Sequence, residues 1–336
     1  MMSKLFKIQM ENTKTIKKIT INNYSKYFEK LIFDTKINPP ELFRPTNIDI
    51  LFKWIDKTEN IGTKLQKLSM MIKYCKLNNY DATLKLIKVN QIELIELRDK
   101  NKGKLTETKR QKWVSWENLI KMLNESKSKW NDYSWETWKK QEKVRKCILV
   151  QARETMILSM YLESVDNPPR RLVDYGLMRI APKGVKEMDL DKNFNWCLID
   201  SGFYIFNQYK TSKTYKQQKL YIDDKIIGYI KNYIEVAKIE DFLFPQTKNK
   251  KKPTAITYLG TMISKIIKKY TGKAGISVSM LRNIFVSNYL KDAPKKDKFN
   301  SIANKMGTSR DMLLYIYRHD IEKNGELVEK SIHNSI

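Results

Sequence analysis

Trp196-Cys197-Leu198-Ile199-Asp200, Phe203-Tyr204-Ile205-Phe206-Asn207-Gln208 and Leu220-Tyr221-Ile222 are three short runs dense in aromatic and β-branched residues, in a sequence whose texture is otherwise helical. Such side chains suit a pleated, half-buried surface, so each run predicts a strand. Between the second and third lies Tyr209-Lys210-Thr211-Ser212-Lys213-Thr214-Tyr215-Lys216, a polar, basic turn. The expectation is a small antiparallel sheet within a mainly α chain, an α+β fold, with Lys210 near the tip of a basic hairpin.

On both sides of these strands apolar residues recur at helical spacing. Residues 226–332 read as helical. Upstream, 143–163 predicts a long helix with Ile148, Leu149, Ala152, Met156 and Met160 on its apolar face, and Ser115 opens a helix carrying Leu119, Ile120 and Leu123. A polar, Trp-containing connection, 130–138, joins them. Further back, Tyr24, Tyr27, Phe28 and Leu31 follow the i, i+3, i+4, i+7 pattern, Pro39-Pro40 and Pro45 interrupt it, and Ile48, Leu51, Phe52 and Ile55 restart it. Leu65, Leu68, Met71, Ile72 and Cys75 make one more apolar face. The expected organisation is a loose basic arm over 1–20, a small helical domain over 21–98, a charged linker over 99–112, and a second, larger domain over 113–336 that holds the sheet and a C-terminal tail.

The chain has 336 residues, room for about two domains. Hydrophobic residues make up 41% and aromatic residues 11%, which excludes wholesale disorder. Its 64 Lys+Arg against 37 Asp+Glu leave a formal charge of +27. Such a surplus repels itself unless a polyanion is near, and nucleic acid is the commonest one. The excess of Lys, Asn and Ile also fits the codon bias of an AT-rich genome. The basic residues are spread along the chain, with clusters at 248–252 and 291–298, a pattern suited to embracing a duplex. Cys75, Cys147 and Cys197 are too far apart for a disulfide framework and read as reduced thiols. With His319 and His333 the only histidines, the usual His-rich zinc sites are excluded. No cofactor and no metal are expected. No apolar run approaches the about 18 residues a membrane span needs, and an intracellular location with no membrane partner follows as the expectation.

Three further stretches carry candidate chemistry. In Asn167-Pro168-Pro169-Arg170-Arg171-Leu172-Val173-Asp174-Tyr175 two prolines stop one helix and Arg171 opens the next, where an unpaired N–H set and a positive dipole end suit a phosphate. A structural Arg–Asp pair is the plainer reading of that stretch alone. In Ser277-Val278-Ser279-Met280-Leu281-Arg282-Asn283-Ile284-Phe285, Ser279 and Arg282 sit three apart, a hydroxyl beside a guanidinium, away from the face made by Leu281, Ile284, Phe285 and Tyr289. In Lys305-Met306-Gly307-Thr308-Ser309-Arg310, a Gly and hydroxyl pair end one helix and cap the next, and Tyr317 follows Thr308 by nine residues. Each stretch alone is open to a bland reading as surface or core.

Taken in order, these stretches resemble the tyrosine recombinase (phage integrase) family, whose pattern runs Arg, hairpin Lys, H-x-x-R, a Gly-His or Gly-Trp element, then a nucleophilic Tyr. Arg171, Lys210, Arg282 and Tyr317 match these positions, with Asp174 where the family often has an acid. The P-P-R-R form is similar to divergent members from large DNA viruses, virophages and mobile elements. Two positions depart: Ser279 stands where the first His would, and Thr308 where the second His or Trp would. Either hydroxyl can still bond a non-bridging phosphate oxygen. His319, two residues past Tyr317 on a helix, points away from it.

The resemblance implies a helical core-binding domain ahead of a recombinase-like catalytic domain, and a transesterification in which Tyr317 forms a 3′-phosphotyrosyl bond with DNA. Arg171 and Arg282 would hold the phosphoryl oxygens, with Arg170 the fallback for the first. Lys210 would protonate the leaving 5′-oxygen, with Lys213 the fallback. It also implies double-stranded DNA as partner and a homotetramer on two duplexes. For a viral protein the place of action would be the host nucleus or a cytoplasmic viral factory. The alternatives are a type IB topoisomerase, which shares this active-site pattern, and a non-catalytic DNA-binding protein.

Overall fold

The structure, a computed structural model, describes residues 2–13, 16, 18–101, 105–141, 144–290 and 296–314. The chain divides into two compact units, Met1–Lys102 and Gly103–Ile336.

The first unit is all helical, with α1 (Met2–Asn12), α2 (Lys18–Thr35), α3 (Pro39–Leu42), α4 (Ile48–Asp56), α5 (Ile61–Leu77) and α6 (Asp81–Lys100). Pro39 opens α3 at a position where a missing N–H costs nothing, and Asn60 caps α5 by accepting from Thr63 N at 3.0 Å. The core is aromatic: Phe6, Phe28, Phe43 and Tyr74 pack with ring centroids 4.5–5.4 Å apart in four of their pairs. Phe6 and Met10 belong to α1, and both are fully buried. The segment expected as a loose arm is therefore mostly helix, because these two apolar residues, four apart, give it a face to bury. The charged stretch expected as a linker is also partly helical: α6 runs to Lys100, and α7 (Glu107–Gln111) belongs to the second unit.

In the second unit α8 (Trp116–Asn131), α10 (Lys146–Leu162), α13 (Asp224–Ala237) and α14 (Ile256–Thr271) supply most of the main core. The short α9 (Trp135–Lys139) occupies part of the segment expected as an irregular connection. Ser115 caps α8 as its sequence position suggests, accepting from Asn118 N at 3.3 Å. The chain then makes the one-turn α11 (Leu172–Gly176), the strands β1 (Met178–Ile180), β2 (Asn195–Leu198) and β3 (Phe203–Phe206), the one-turn α12 (Ser212–Tyr215) and β4 (Gln218–Tyr221). It ends in α15 (Val278–Tyr289), α16 (Lys296–Lys305) and α17 (Arg310–Met312).

The four strands form one sheet in sequence order. The expectation of a purely antiparallel sheet needs correction. β2–β3 and β3–β4 are antiparallel, whereas β1 lies parallel to β2 with Met178 opposite Asn195. The mainly helical α+β class stands. Along β2 and β3 the side chains alternate between two cores. Cys197, Tyr204 and Phe206 face the main core, while Trp196, Leu198 and Ile205 pack with Leu190 on the other side.

After Phe206 the sheet ladder passes to a side chain. Asn195, 1% exposed, accepts from Asn207 N and Gln208 N at 2.8 and 2.7 Å, and donates to Gln208 O and Asp174 O at 2.8 Å each. One amide thus ties the start of the β3–β4 loop to α11.

The docking of α1 is open to a direct check. Phe6→Ala in the full chain is expected to lower the stability of the first unit by about 3–5 kcal/mol, as for a buried ring. Urea unfolding followed by tryptophan fluorescence reads this, and a truly loose arm would give no shift.

Candidate functional site

The site is built around the C-terminal end of α16. Every α-helix leaves its last four carbonyls without intrahelical partners. Here the chain turns at Gly307, φ 61°, with Gly307 N donating to Asn304 O and Thr308 N to Ala303 O, both at 2.9 Å. These two bonds are a Schellman closure. A Cβ at Gly307 would lie 2.5 Å from Arg170 Nη2 and 3.3 Å from the Tyr209 ring, so both the backbone and its surroundings demand glycine.

The exposed carbonyls take side chains drawn from distant parts of the unit. Gln218 Nε2 donates to Asn304 O at 3.0 Å and Arg170 Nη1 to Lys305 O at 2.9 Å. Both terminal nitrogens of Arg282 reach Met306 O at 3.4 Å, and Arg282 Nη1 also donates to Pro169 O at 2.8 Å. Arg171 Nη1 donates to Gly307 O at 2.6 Å, and Thr211 Oγ1 donates to the same oxygen at 2.9 Å. Three guanidiniums therefore sit on three successive carbonyls at the negative end of one helix.

The adjacent arginines differ in what they face. Arg170 is fully buried: its Nε pairs with Asp174 Oδ2 at 3.1 Å, its Nη1 bonds Gln218 Oε1 at 2.8 Å, and its plane lies 3.9 Å from the centre of the Phe206 ring. Burial pushes the Asp174 carboxyl above the ordinary carboxylate range, with Arg170 pulling the other way. The Arg–Asp pair legible in the sequence is thus made by Arg170. Arg171 is half-buried and borders an open cleft. It precedes α11, a single turn too short to offer much of the helix-end field that its sequence position suggested.

That cleft, about 910 Å³, brings together Arg171, Lys210, Ser279 and Arg282. Lys265 and Lys268 of α14 line it as well, with the hydroxyls of Thr257, Thr261 and Ser264. Among the described residues five cations border the cleft and no Asp or Glu does. Among the described residues Lys210, Lys265 and Lys268 have no salt-bridge partner. The wall is set by close packing of α11 against α14: a Cβ on Gly176 would fall 2.1 Å from Ile256 Cδ1, so that side chain fills the space the glycine leaves.

Lys210 is not at the tip of a tight hairpin. It lies on the longer loop 207–217, which contains α12, and Tyr209 OH closes this loop by donating to Lys216 O at 2.7 Å. Lys213 is exposed on α12 and does not line the cleft. Thr308 is 2% exposed and absent from the lining, and its Oγ1 has no hydrogen-bond partner. Its backbone closes α16, so the hydroxyl expected to meet a phosphate faces no open space here. Tyr161, Tyr175 and Tyr204 are buried and their phenols are pushed upward by burial, which makes them poor nucleophiles. No tyrosine is among the described residues lining the cleft. Tyr317, Tyr315, His319 and the C-terminal tail lie outside the described residues, as does 291–295 of the second basic cluster.

Lys265 and Lys268 escaped the sequence reading, although a signal existed. Positions 257, 261, 264, 265 and 268 recur every three or four residues opposite Leu259, Ile263, Ile266 and Ile267, a polar stripe on an amphipathic helix.

No protein-family model matches this chain, and no curated protein matches it in sequence. Among solved structures, that of a XerA recombinase aligns over 96% of this chain and 95% of its own, with 14% identity and a TM-score of 0.41.

The two arginines are expected to separate cleanly on substitution. Arg170→Met leaves Asp174 buried without its partner and is expected to cost about 3–5 kcal/mol. Arg171→Met, half-buried with one carbonyl bond, is expected to cost about 1 kcal/mol. Chemical denaturation of the two variants against the parent measures the difference.

Proposed function

We propose that this protein cuts and rejoins duplex DNA by transesterification, as a site-specific recombinase. The observation that supports the reading is the cleft, with no Asp or Glu among its described lining, in which Arg171, Lys210 and Arg282, matched to the recombinase pattern by order and residue type, come together. A phosphodiester is the anion such a lining suits, since planar guanidiniums match its oxygens in pairs.

In the proposed step the phenolic oxygen of Tyr317 forms a bond to phosphorus and loses its proton to solvent. The bond from phosphorus to the 5′-oxygen breaks, and Lys210 Nζ gives that oxygen its proton. Arg171 and Arg282 balance the charge that gathers on the non-bridging oxygens, and Ser279 offers a further donor from the cleft wall. A 3′-phosphotyrosyl link keeps the energy of the broken bond, so a second strand's 5′-hydroxyl can reverse the step. Tyr317 lies three positions past Leu314, the last described residue, and a chain of that length spans at most about 10 Å. Leu313 packs in the same small core as Met306, whose carbonyl receives Arg282. The helical first unit is proposed to hold the duplex, and recombination of two duplexes calls for four protomers.

A second reading, a DNA-binding protein without catalysis, draws on Ser279 and the buried Thr308 at the two imidazole positions. A suicide duplex substrate decides between them. The parent is expected to give a covalent DNA adduct on a denaturing gel without added metal, Tyr317→Phe none, and Arg171→Ala an adduct forming about 10²–10³-fold more slowly. DNA binding with no adduct would establish the non-catalytic reading, and relaxation of supercoils by a monomer would point to the topoisomerase.

Lys265 and Lys268 supply a separate check. Each Lys→Ala change is expected to weaken duplex binding evenly across sequences and to lower the slope of log K against log salt by about one. A salt titration of binding measures it.

A further inference from the structure

We infer that Thr211 is the positioning residue that fixes Lys210 at the leaving oxygen, by sharing the Gly307 carbonyl with Arg171. This inference rests on the transesterification reading above. Thr211 stands at the N-cap of α12, where a threonine hydroxyl ordinarily accepts from an N–H of the following turn. It makes no such bond. Its hydroxyl donates instead to Gly307 O, 96 positions away in sequence, at 2.9 Å. The cap position makes no local bond while its hydroxyl is committed to a remote carbonyl, so the orientation of this side chain follows the tertiary contact and not the start of α12.

The surroundings show what the remote bond controls. Lys210 is exposed and, among the described residues, has no side-chain partner that would orient it. Its neighbours are held on both sides. Asn195 pins the loop at Asn207 and Gln208, and the buried Tyr209 packs beside Gly307 with its hydroxyl on Lys216 O. Beyond Lys210, Ser212 N donates back to Tyr209 O at 3.1 Å, and the side-chain tie to the turn after α16 is Thr211. Gly307 O is also the acceptor for Arg171 Nη1, at 2.6 Å. One carbonyl oxygen thereby sets the separation between the group that holds the phosphate and the loop that carries the proton donor. Without the Thr211 bond, Lys210 would remain in the cleft but sample more positions, and proton delivery to the 5′-oxygen would suffer while phosphate binding would not.

The experiment compares single-turnover cleavage of two duplexes, one with the natural 5′-oxygen at the scissile phosphate and one with sulfur in its place. A thiolate leaves without a proton, so the sulfur substrate bypasses the general acid. Thr211→Val is expected to slow the oxygen substrate about tenfold and leave the sulfur substrate near the parent rate. Lys210→Ala should show the same pattern more strongly, and Thr211→Ser should restore the oxygen rate. Equal slowing of both substrates by Thr211→Val would overturn the inference, since loss of binding or of general packing acts on both alike. So would an unchanged oxygen rate. Absence of any adduct from the parent protein on either substrate would overturn the transesterification reading itself, and the inference with it. An unfolding midpoint for Thr211→Val close to the parent's accompanies the expected result, and a midpoint fallen with both rates counts against it.

Discussion

The second unit turns on one electrostatic demand, the unsatisfied carbonyls at the end of α16. Three carbonyls, of Lys305 at that end and of Met306 and Gly307 in the turn beyond it, each receive a guanidinium, from Arg170, Arg282 and Arg171 respectively. Each cation at a helix C-terminus is worth about 0.3–1 kcal/mol, and up to about 2 kcal/mol when partly buried. The geometric consequence exceeds the energetic one. Residues from the 170 region, the β3–β4 loop and α15, which also share the main core, are brought to neighbouring atoms of the same turn. The helix end aligns the forks before any ligand arrives, which is the preorganisation that charge stabilisation requires. Gly307 makes this possible twice over, through its positive φ and through the space its missing Cβ leaves to Arg170.

The same arrangement shapes the field of the cleft. Asp174, the carboxylate paired with this group of arginines, is buried against Arg170. Among the described residues no Asp or Glu lines the cleft, so Arg171, Lys210, Lys265, Lys268 and Arg282 give it a positive wall. A lining of that kind costs stability by self-repulsion and recovers it when an anion binds. The division between Arg170 and Arg171 follows from the same physics. A buried ion pair is costly to break and contributes to one defined structure, whereas a half-buried guanidinium keeps donors for a ligand.

Much of this was legible in the sequence because it was local. Helical spacing located α2, α4, α5, α8 and α10, and aromatic, β-branched runs located three strands. β1 escaped because Met178-Arg179-Ile180 is short and carries no strand-like density, and its pairing with β2 is decided by a tertiary contact. The arm escaped because Phe6 and Met10 are sparse among polar neighbours, although four residues apart. In the site, Arg171, Lys210, Ser279 and Arg282 were found by order and type. That Arg170 and not Arg171 takes Asp174 is a matter of side-chain direction, which sequence does not carry. The sequence pattern suggests a hydroxyl of Thr308 facing a ligand, whereas the residue is 2% exposed. Thr211 was read only as part of a basic turn, since its partner lies 96 residues ahead.

In the proposed reaction the phenolic oxygen of Tyr317 is the atom joined to DNA. Tandem mass spectrometry of a nuclease-trimmed, protease-digested adduct tests it most directly. A nucleotide joined through its 3′-phosphate to Tyr317 is the expected result. Attachment at Tyr315, at a serine such as Ser279, or through a 5′-phosphate would contradict the chemistry assigned to Arg171, Lys210 and Arg282.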